Sequence, residues 1–226
     1  MSAAEEEGRR HSTALEPELI TDPTKKAEAE SANGLRQYDY AVGAIQTGIE
    51  RQPFRLRLSL ILSLQREALQ GISSYAGNFR PGGVEIRHSR HEPPPAHLVA
   101  ELVEGLCDYV NDNWEGATAI HLASYVMWRL NWIHPFADGN GRTSRILSFV
   151  VLSVRLGTIL PGTPTYPELI VQHRSDYERA LEAADEAWRQ GGVDVSQMEA
   201  LLESLLAKQL EKVYELAGGR LPQHSG

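Results

Sequence analysis

At 226 residues, with 42% hydrophobic and 23% charged side chains, the chain is long enough for one well-buried domain with tails, and its composition excludes a fibrous or wholly disordered protein. A formal net charge of −8 and a pI near 5.5 exclude a general basic footprint for nucleic acid or an anionic membrane, so any phosphate recognition has to be local. Cys107 is the single cysteine; it sits in the amphipathic stretch LVAELVEGLCDYV, is read as a buried structural thiol, and leaves no partner for an intrachain disulfide or a thiolate metal cage. The first residues, MSAAEEEGRRHSTALEPELI, are polar and acidic where a secretory signal needs an apolar core, and the run ILSFVVLSV is too short to span a bilayer. A cytoplasmic location is the expectation.

Residues 1–23 mix charge, Ser, Thr and Pro without periodicity and read as a flexible tail ending at the turn TDPT. From Thr24 the pattern turns helical, with Leu35, Tyr38, Val42 and Ile45 predicted on the inner side and a break near Gly34. A second helix covers FRLRLSLILSLQREALQGI, with Leu56, Leu60, Leu64 and Leu69 as its stripe. Between Gly77 and Pro95 the texture changes: Gly82 and Gly83 supply a turn, and Val84 and Ile86 alternate as in a short strand. Helices resume over 96–111 and 116–133, and again from about Gly139 to Leu156, where the sequence is apolar on nearly every side and therefore central. Beyond the Pro-rich loop LPGTPTYP come the helical stretch YPELIVQHRSDYERALEAADEAW and a closing helix, VSQMEALLESLLAKQLEKVYEL, stopped by Gly218 and Gly219. The fold class read from this is all-α with one small β-hairpin, divided into a tail (1–23), N-terminal helices (24–76), a core (77–190) and a C-terminal helix with its short tail (191–226).

The segment HPFADGNGRTSR, residues 134–145, lies between two apolar helices and carries too much chemistry for a mere connection. The first amides of a helix lack intrahelical acceptors and sit at the positive end of its dipole, which makes an anion site. Gly139 and Gly141 let a bulky anion approach, Asn140 offers a neutral donor, and Arg142 and Arg145 can close on phosphate oxygens. Asp138 is placed to hold Mg²⁺, which favours one or two carboxylates plus phosphate oxygens. His134 suits a general base. Taken singly, each residue has a bland reading as a turn, a cap or a solvated charge; the concentration within twelve residues favours function.

HPFADGNGRTSR resembles at every defining position the signature of the Fic (filamentation induced by cyclic AMP) family: HPF, one free residue, Asp or Glu, GNGR, two free residues, Arg. GNFRPGGVEIRHSRHEPPP is similar to that family's approach to its flap hairpin, and HRSDYERALEAAD to the later segment lining the adenosine end of the nucleotide, so the resemblance covers approximately residues 30–190. It implies a Fic helical core with a β-hairpin flap and a protein adenylyltransferase, which moves AMP from ATP to a Ser, Thr or Tyr hydroxyl of a target protein. In that frame His134 takes the hydroxyl proton and Asp138 binds Mg²⁺. Gly139, Asn140, Gly141 and Arg142 form the anion hole, Arg145 reaches the terminal phosphate, and Pro135 and Phe136 are structural. The flap would take a target segment as an added strand, with Ser89, Arg90 and His91 bordering nucleotide and target and Tyr177 at the nucleotide's far end.

The sequence departs from the family pattern where two tyrosines and an Asn are common: the positions here read Tyr177, Glu178 and Asp185, which opens the choice of nucleotide. An autoinhibitory pattern of Ser or Thr, three residues, Glu, then Gly or Asn is met only halfway, by Thr24 to Glu28 followed by Ala29, with Glu30 as a neighbouring candidate. Other readings are transfer of a different nucleotide, removal of AMP from a modified protein, and an inactive nucleotide-binding module. A phosphotransferase would call for Lys in the cradle, where Gly141 stands. A metal site from His88, His91 and His97 has loose spacing and no evident fourth ligand. Expected partners are ATP and the target protein, not nucleic acid or membrane; a homodimer or a regulatory partner stays open.

Overall fold

The computed structural model describes residues 12–13, 19–86 and 89–219. Helix α1 (Pro23–Glu50) starts where Asp22 Oδ1 accepts from the N–H groups of Thr24 and Lys25 at 2.9 and 3.1 Å, with Pro23 at the first helical position. It runs unbroken through Gly34, contrary to the break expected there. Its inner face is Asn33, Gln37, Ala41, Ile45 and Gly48, whereas Leu35 and Tyr38 are 70% and 37% exposed. The reason is hydrogen bonding: Asn33 Nδ2 donates to the Gln70 carbonyl at 2.9 Å and Gln37 Nε2 to the Leu64 carbonyl at 3.0 Å, in helix α2 (Leu58–Leu69) and the residue that follows it. Buried amides that donate across the helix pair tie the two helices together, and a hydrophobic count cannot see them.

Helix α3 (Val99–Asp112) follows a single 3-10 turn at Ala96–Leu98, and α4 (Ala119–Ile133) is capped by Thr118, whose Oγ1 accepts from His121 N–H at 3.1 Å. Helix α5 (Asn140–Leu156) buries twelve of its residues, in line with the expected central helix. It lies along α4 and also packs on α1 and α2, while the far side of α4 meets α3 and α8 (Ser196–Leu216). At Gly48 an added Cβ would stand 2.8 Å from Val154 Cγ2, so α1 and α5 approach at a glycine. The helical stretch from residue 166 is divided into α6 (Tyr166–Gln172), opened by a capping box between Thr165 and Glu168, and α7 (Arg174–Arg189). Cys107 is buried, and burial, with Asp108 and Glu104 adding to it, pushes its thiol up to about 12, as a structural thiol requires. No helix among the described residues is long and apolar enough to cross a membrane.

Strand β2 (Glu85–Ile86) forms where a short strand was expected, but its partner is not a returning arm of the flap. It pairs antiparallel with β1 (Ser12–Thr13), Ser12 opposite Ile86 and Thr13 opposite Glu85. The chain beyond the flap reads EPPP at 92–95, and prolines have no N–H to donate to a ladder, so that arm is unsuited to complete a hairpin. The tail expected over 1–23 therefore contributes a strand, and the remainder up to residue 18 lies outside the described residues.

Candidate active site

The site is the turn between α4 and α5. His134 ends α4 in the left-handed conformation, with φ 51° and ψ 57°, and Gly139 starts α5 at φ 81°. At Gly139 an added Cβ would also fall 2.5 Å from Leu69 Cδ2. Both the dihedral and the approach of α2 call for glycine here. Phe136, fully buried and tilted against Phe79 at 5.9 Å, pins the turn to the core.

Asn140 closes the turn. Its Oδ1 accepts from the Phe136 N–H at 2.9 Å, and its Nδ2 donates to the Phe136 carbonyl at 2.8 Å. The side chain expected to lend an anion donor is thus engaged in holding the loop. Asp138 is exposed; its Oδ1 accepts from the Gly139 N–H at 2.6 Å and its Oδ2 from Arg142 Nη2 at 3.1 Å. The Gly139 N–H is therefore also occupied. Because the residue preceding α5 is glycine, no side chain caps this helix, in contrast to α4. The opening amides of Asn140, Gly141 and Arg142 face the positive end of the dipole without an intrahelical acceptor.

The two arginines differ. Arg142 lies between carboxylates, 3.1 Å from Asp138 and 3.6 Å from Glu30 Oε1. Arg145 has no carboxylate partner among the described residues; burial lowers its pKa, an effect that Tyr177 opposes and Arg142 reinforces. Its Nη1 stands 3.1 Å from where a Cβ on Gly141 would be, so Gly141 makes room for the guanidinium. Of the two acidic candidates on α1, the one beside the cradle is Glu30, and it meets Arg142 rather than Arg145.

His134 is 6% exposed. Burial pulls its pKa down to about 4; the Asn131 carbonyl and Asp138 oppose this, and His91 and Arg80 add to it. Its Nδ1 lies 3.2 Å from the Asn131 carbonyl, which can only accept. The neutral ring therefore carries its hydrogen on Nδ1 and presents Nε2 as a base.

Three residues that the sequence reading passed over hold this geometry. Arg80, 3% exposed, donates from Nε to the His134 carbonyl at 2.8 Å, from Nη1 to the Gly82 carbonyl at 2.6 Å, and from Nη2 to the Pro94 carbonyl. Its N–H also reaches the Pro135 carbonyl at 2.9 Å. One guanidinium thus clamps both ends of the flap to the turn. Gln65 donates to the Asp138 carbonyl at 3.2 Å and accepts from the Gly77 N–H at 2.5 Å. Asn131 Nδ2 sits among Met127 O, Ser144 Oγ and Tyr177 Oη at 2.7 to 2.8 Å, so the Tyr177 hydroxyl is tied to α4.

On the flap, Ser89 N–H donates to the Ile86 carbonyl at 3.2 Å and Ser89 Oγ accepts from the His91 N–H at 3.1 Å. His91 Nε2 donates to the Trp132 carbonyl at 2.7 Å, and its Nδ1 is 3.8 Å from Asp185. Asp185 also accepts from the Trp128 indole N–H at 2.8 Å. Behind these groups the Arg129 guanidinium is stacked between Trp132 and Trp188, 4.2 and 4.1 Å from their ring centres. Arg90 is exposed, and His88 lies outside the described residues. No group of three or more metal-capable His, Cys, Asp or Glu side chains occurs among the described residues. Asp138 is the carboxylate on the turn that could hold a cation bound otherwise by phosphate and water, in exchange for its contacts with the Gly139 N–H and Arg142.

Comparison with known proteins agrees with this geometry. Residues 55–152 match the model of the Fic/DOC family. A protein adenylyltransferase Fic from Drosophila willistoni is 32% identical over 139 residues, covering 60% of this chain and 26% of the relative. The chain spans about a quarter of the length of the curated relatives it matches. Among solved structures, a fragment of Fic-1 from C. elegans superimposes with a TM-score of 0.64 at 20% identity, over 88% of this chain and 55% of the other. BepC from Bartonella tribocorum, solved with bound AMPPNP, gives 0.54 at 17% identity, over 82% and 88%. The likeness to the Fic/DOC family is carried by residues 55–152, the stretch that contains the turn between α4 and α5.

Proposed function

We propose that this chain is a protein adenylyltransferase, transferring AMP from ATP to a Ser, Thr or Tyr hydroxyl of a target protein. The observation that carries the reading is the pairing of a neutral, oriented His134 with a helix start that no side chain caps and an arginine, Arg145, that has no carboxylate partner among the described residues, all on one turn. Curated relatives named protein adenylyltransferase support it, as does the AMPPNP held by BepC.

His134 Nε2 accepts the proton of the incoming hydroxyl, whose oxygen attacks the α-phosphorus as pyrophosphate leaves in line. The amides of Asn140, Gly141 and Arg142 and the Arg145 guanidinium bind phosphate oxygens, fixed before reaction and so costing little reorganisation. Mg²⁺ held at Asp138 would offset charge on the phosphates and leaving group. Arg80 positions rather than reacts: it fixes the backbone carbonyl of His134 and the flap beside it.

The Glu30 to Arg142 contact supports a resting state in which an acidic side chain of α1 competes with phosphate for the cradle. The test of function is incubation of the chain, and of His134→Ala, with α-labelled and γ-labelled ATP plus cell lysate. Label entering protein from the α position alone, and only with His134 present, is the expected result. Label from the γ position would replace adenylyl transfer with phosphotransfer.

A further inference from the structure

The peptide between Asp138 and Gly139 stands where the turn becomes α5, and both of its ends are held. A trans peptide points its carbonyl and its N–H in opposite directions. The Asp138 carbonyl accepts from Gln65 Nε2 at 3.2 Å, and the Gly139 N–H donates to Asp138 Oδ1 at 2.6 Å. Gln65 is buried and the Asp138 side chain is half exposed, so the carbonyl faces the core and the N–H faces the open side of the turn. The sense of the Gln65 carboxamide is set by its other end. Its Oε1 meets the Gly77 N–H at 2.5 Å, a group that can only donate, and Nε2 is therefore the atom turned to Asp138. Gln65 Cγ also lies 3.9 Å from where a Cβ on Gly139 would stand.

The two bonds differ in what a ligand does to them. When Asp138 turns its carboxylate to a cation it gives up the Gly139 N–H, whereas the bond from buried Gln65 is untouched. Glycine accepts φ of either sign, so Gly139, at φ 81°, does not itself oppose a turned-over peptide. Turned over, that peptide would offer phosphate a carbonyl oxygen in place of a donor. We propose that Gln65 is a positioning residue of the phosphate cradle: it keeps the Gly139 N–H on the open side of the turn, so that this amide joins those of Asn140, Gly141 and Arg142 as a phosphate donor once Asp138 takes a cation. The proposal rests on the nucleotide-binding part of the adenylyltransferase reading. Gln65 acts through the Asp138 carbonyl and takes no part in the chemical step.

The experiment compares the full chain with Gln65→Met by calorimetry, titrating ATP once in EDTA and once with Mg²⁺. Thermal melts check folding, and α-labelled ATP with cell lysate forms a separate activity arm. Met removes both polar ends at similar length; Gln65→Glu, which keeps an acceptor for the Gly77 N–H and lacks the amide donor, is the second variant should the first fail to fold. In EDTA, where Asp138 retains the Gly139 N–H, the affinity of the variant for ATP should stay within about twofold of the wild type, the scale of a bond that is not lost. With Mg²⁺ it should weaken by about 3- to 10-fold, the equivalent of one hydrogen bond, and labelling should fall. Equal weakening in both titrations, or none in either, would overturn the positioning role, as would failure of both variants to fold, which would make Gln65 a residue of the core alone. A wild type that binds ATP with Mg²⁺ and labels no lysate protein would overturn the adenylyltransferase reading, while the difference between the two titrations still decides for or against Gln65. No ATP binding by the wild type in either titration would overturn both.

Discussion

The catalytic turn and the flap are neighbours built on opposite principles. Between His134 and Asn140 the backbone twice enters the left-handed region and the Asn140 carboxamide is bound in both directions. The flap has two strand residues, an edge completed from a distant part of the chain, and anchors in Arg80 and His91. The turn is held by buried polar groups whose bonds are costly to break; the flap strand is held by a ladder of two residues. A turn so held keeps its side chains in place by itself, whereas the flap takes its position from contacts with distant parts of the chain.

That contrast can be broken at the turn with the largest effect. His134→Ala should abolish transfer while nucleotide affinity stays within a few fold, measured by labelling and by calorimetry, since the base acts on the hydroxyl. Its low pKa adds a pH signature. The folded value of about 4 lies below the ordinary 6.5, so in acid the unfolded chain binds a proton that the folded chain refuses. The stability contributed by neutral His134 is complete above about pH 6.5 and is lost as pH falls toward about 4. Thermal melts should therefore show the wild type losing more stability between pH 7 and pH 5 than His134→Ala does.

Next in size is Gly139→Ala, where positive φ and the Leu69 contact should together cost about 2 to 4 kcal/mol of stability in denaturant titrations and most of the activity. Arg80→Ala tests the link between the two regions: protein modification should fall more than ATP affinity, because the flap is released while the phosphate-binding amides stay. An equal fall in both would make Arg80 part of the turn alone. Arg145→Ala should weaken ATP by about 10- to 150-fold, the equivalent of one charge-assisted contact of about 1.5 to 3 kcal/mol, and ADP less if the contact is to the terminal phosphate. The smallest effect is expected from Glu30→Gly, a modest rise in labelling, because the pair it breaks is partly exposed and 3.6 Å apart. No rise would leave the Glu30 to Arg142 contact without a regulatory role.

The turn as a candidate site was legible in the sequence because His134, Asp138, the glycines and the arginines are contiguous, and the helix positions followed from apolar spacing. Three misreadings share one cause. Arg80, Gln65 and Asn33 act on main-chain carbonyls 54, 73 and 37 residues away, and a carbonyl leaves no trace in residue identity. The same blindness put Leu35 on the inner face of α1 in place of Asn33. It also assigned the flap strand a neighbour in sequence, when its partner is more than seventy residues upstream.

The stack of Arg129 with Trp132 and Trp188 gives the molecule a built-in optical reporter. Of the four tryptophans, Trp128, Trp132 and Trp188 cluster around that guanidinium, with His91 bonded to Trp132 and Asp185 to Trp128. Trp114 sits apart against Phe54, at 4.7 Å. Indole emission therefore comes mainly from the surface that His91 contacts, and displacement of the His91 segment can be followed in real time without adding a dye.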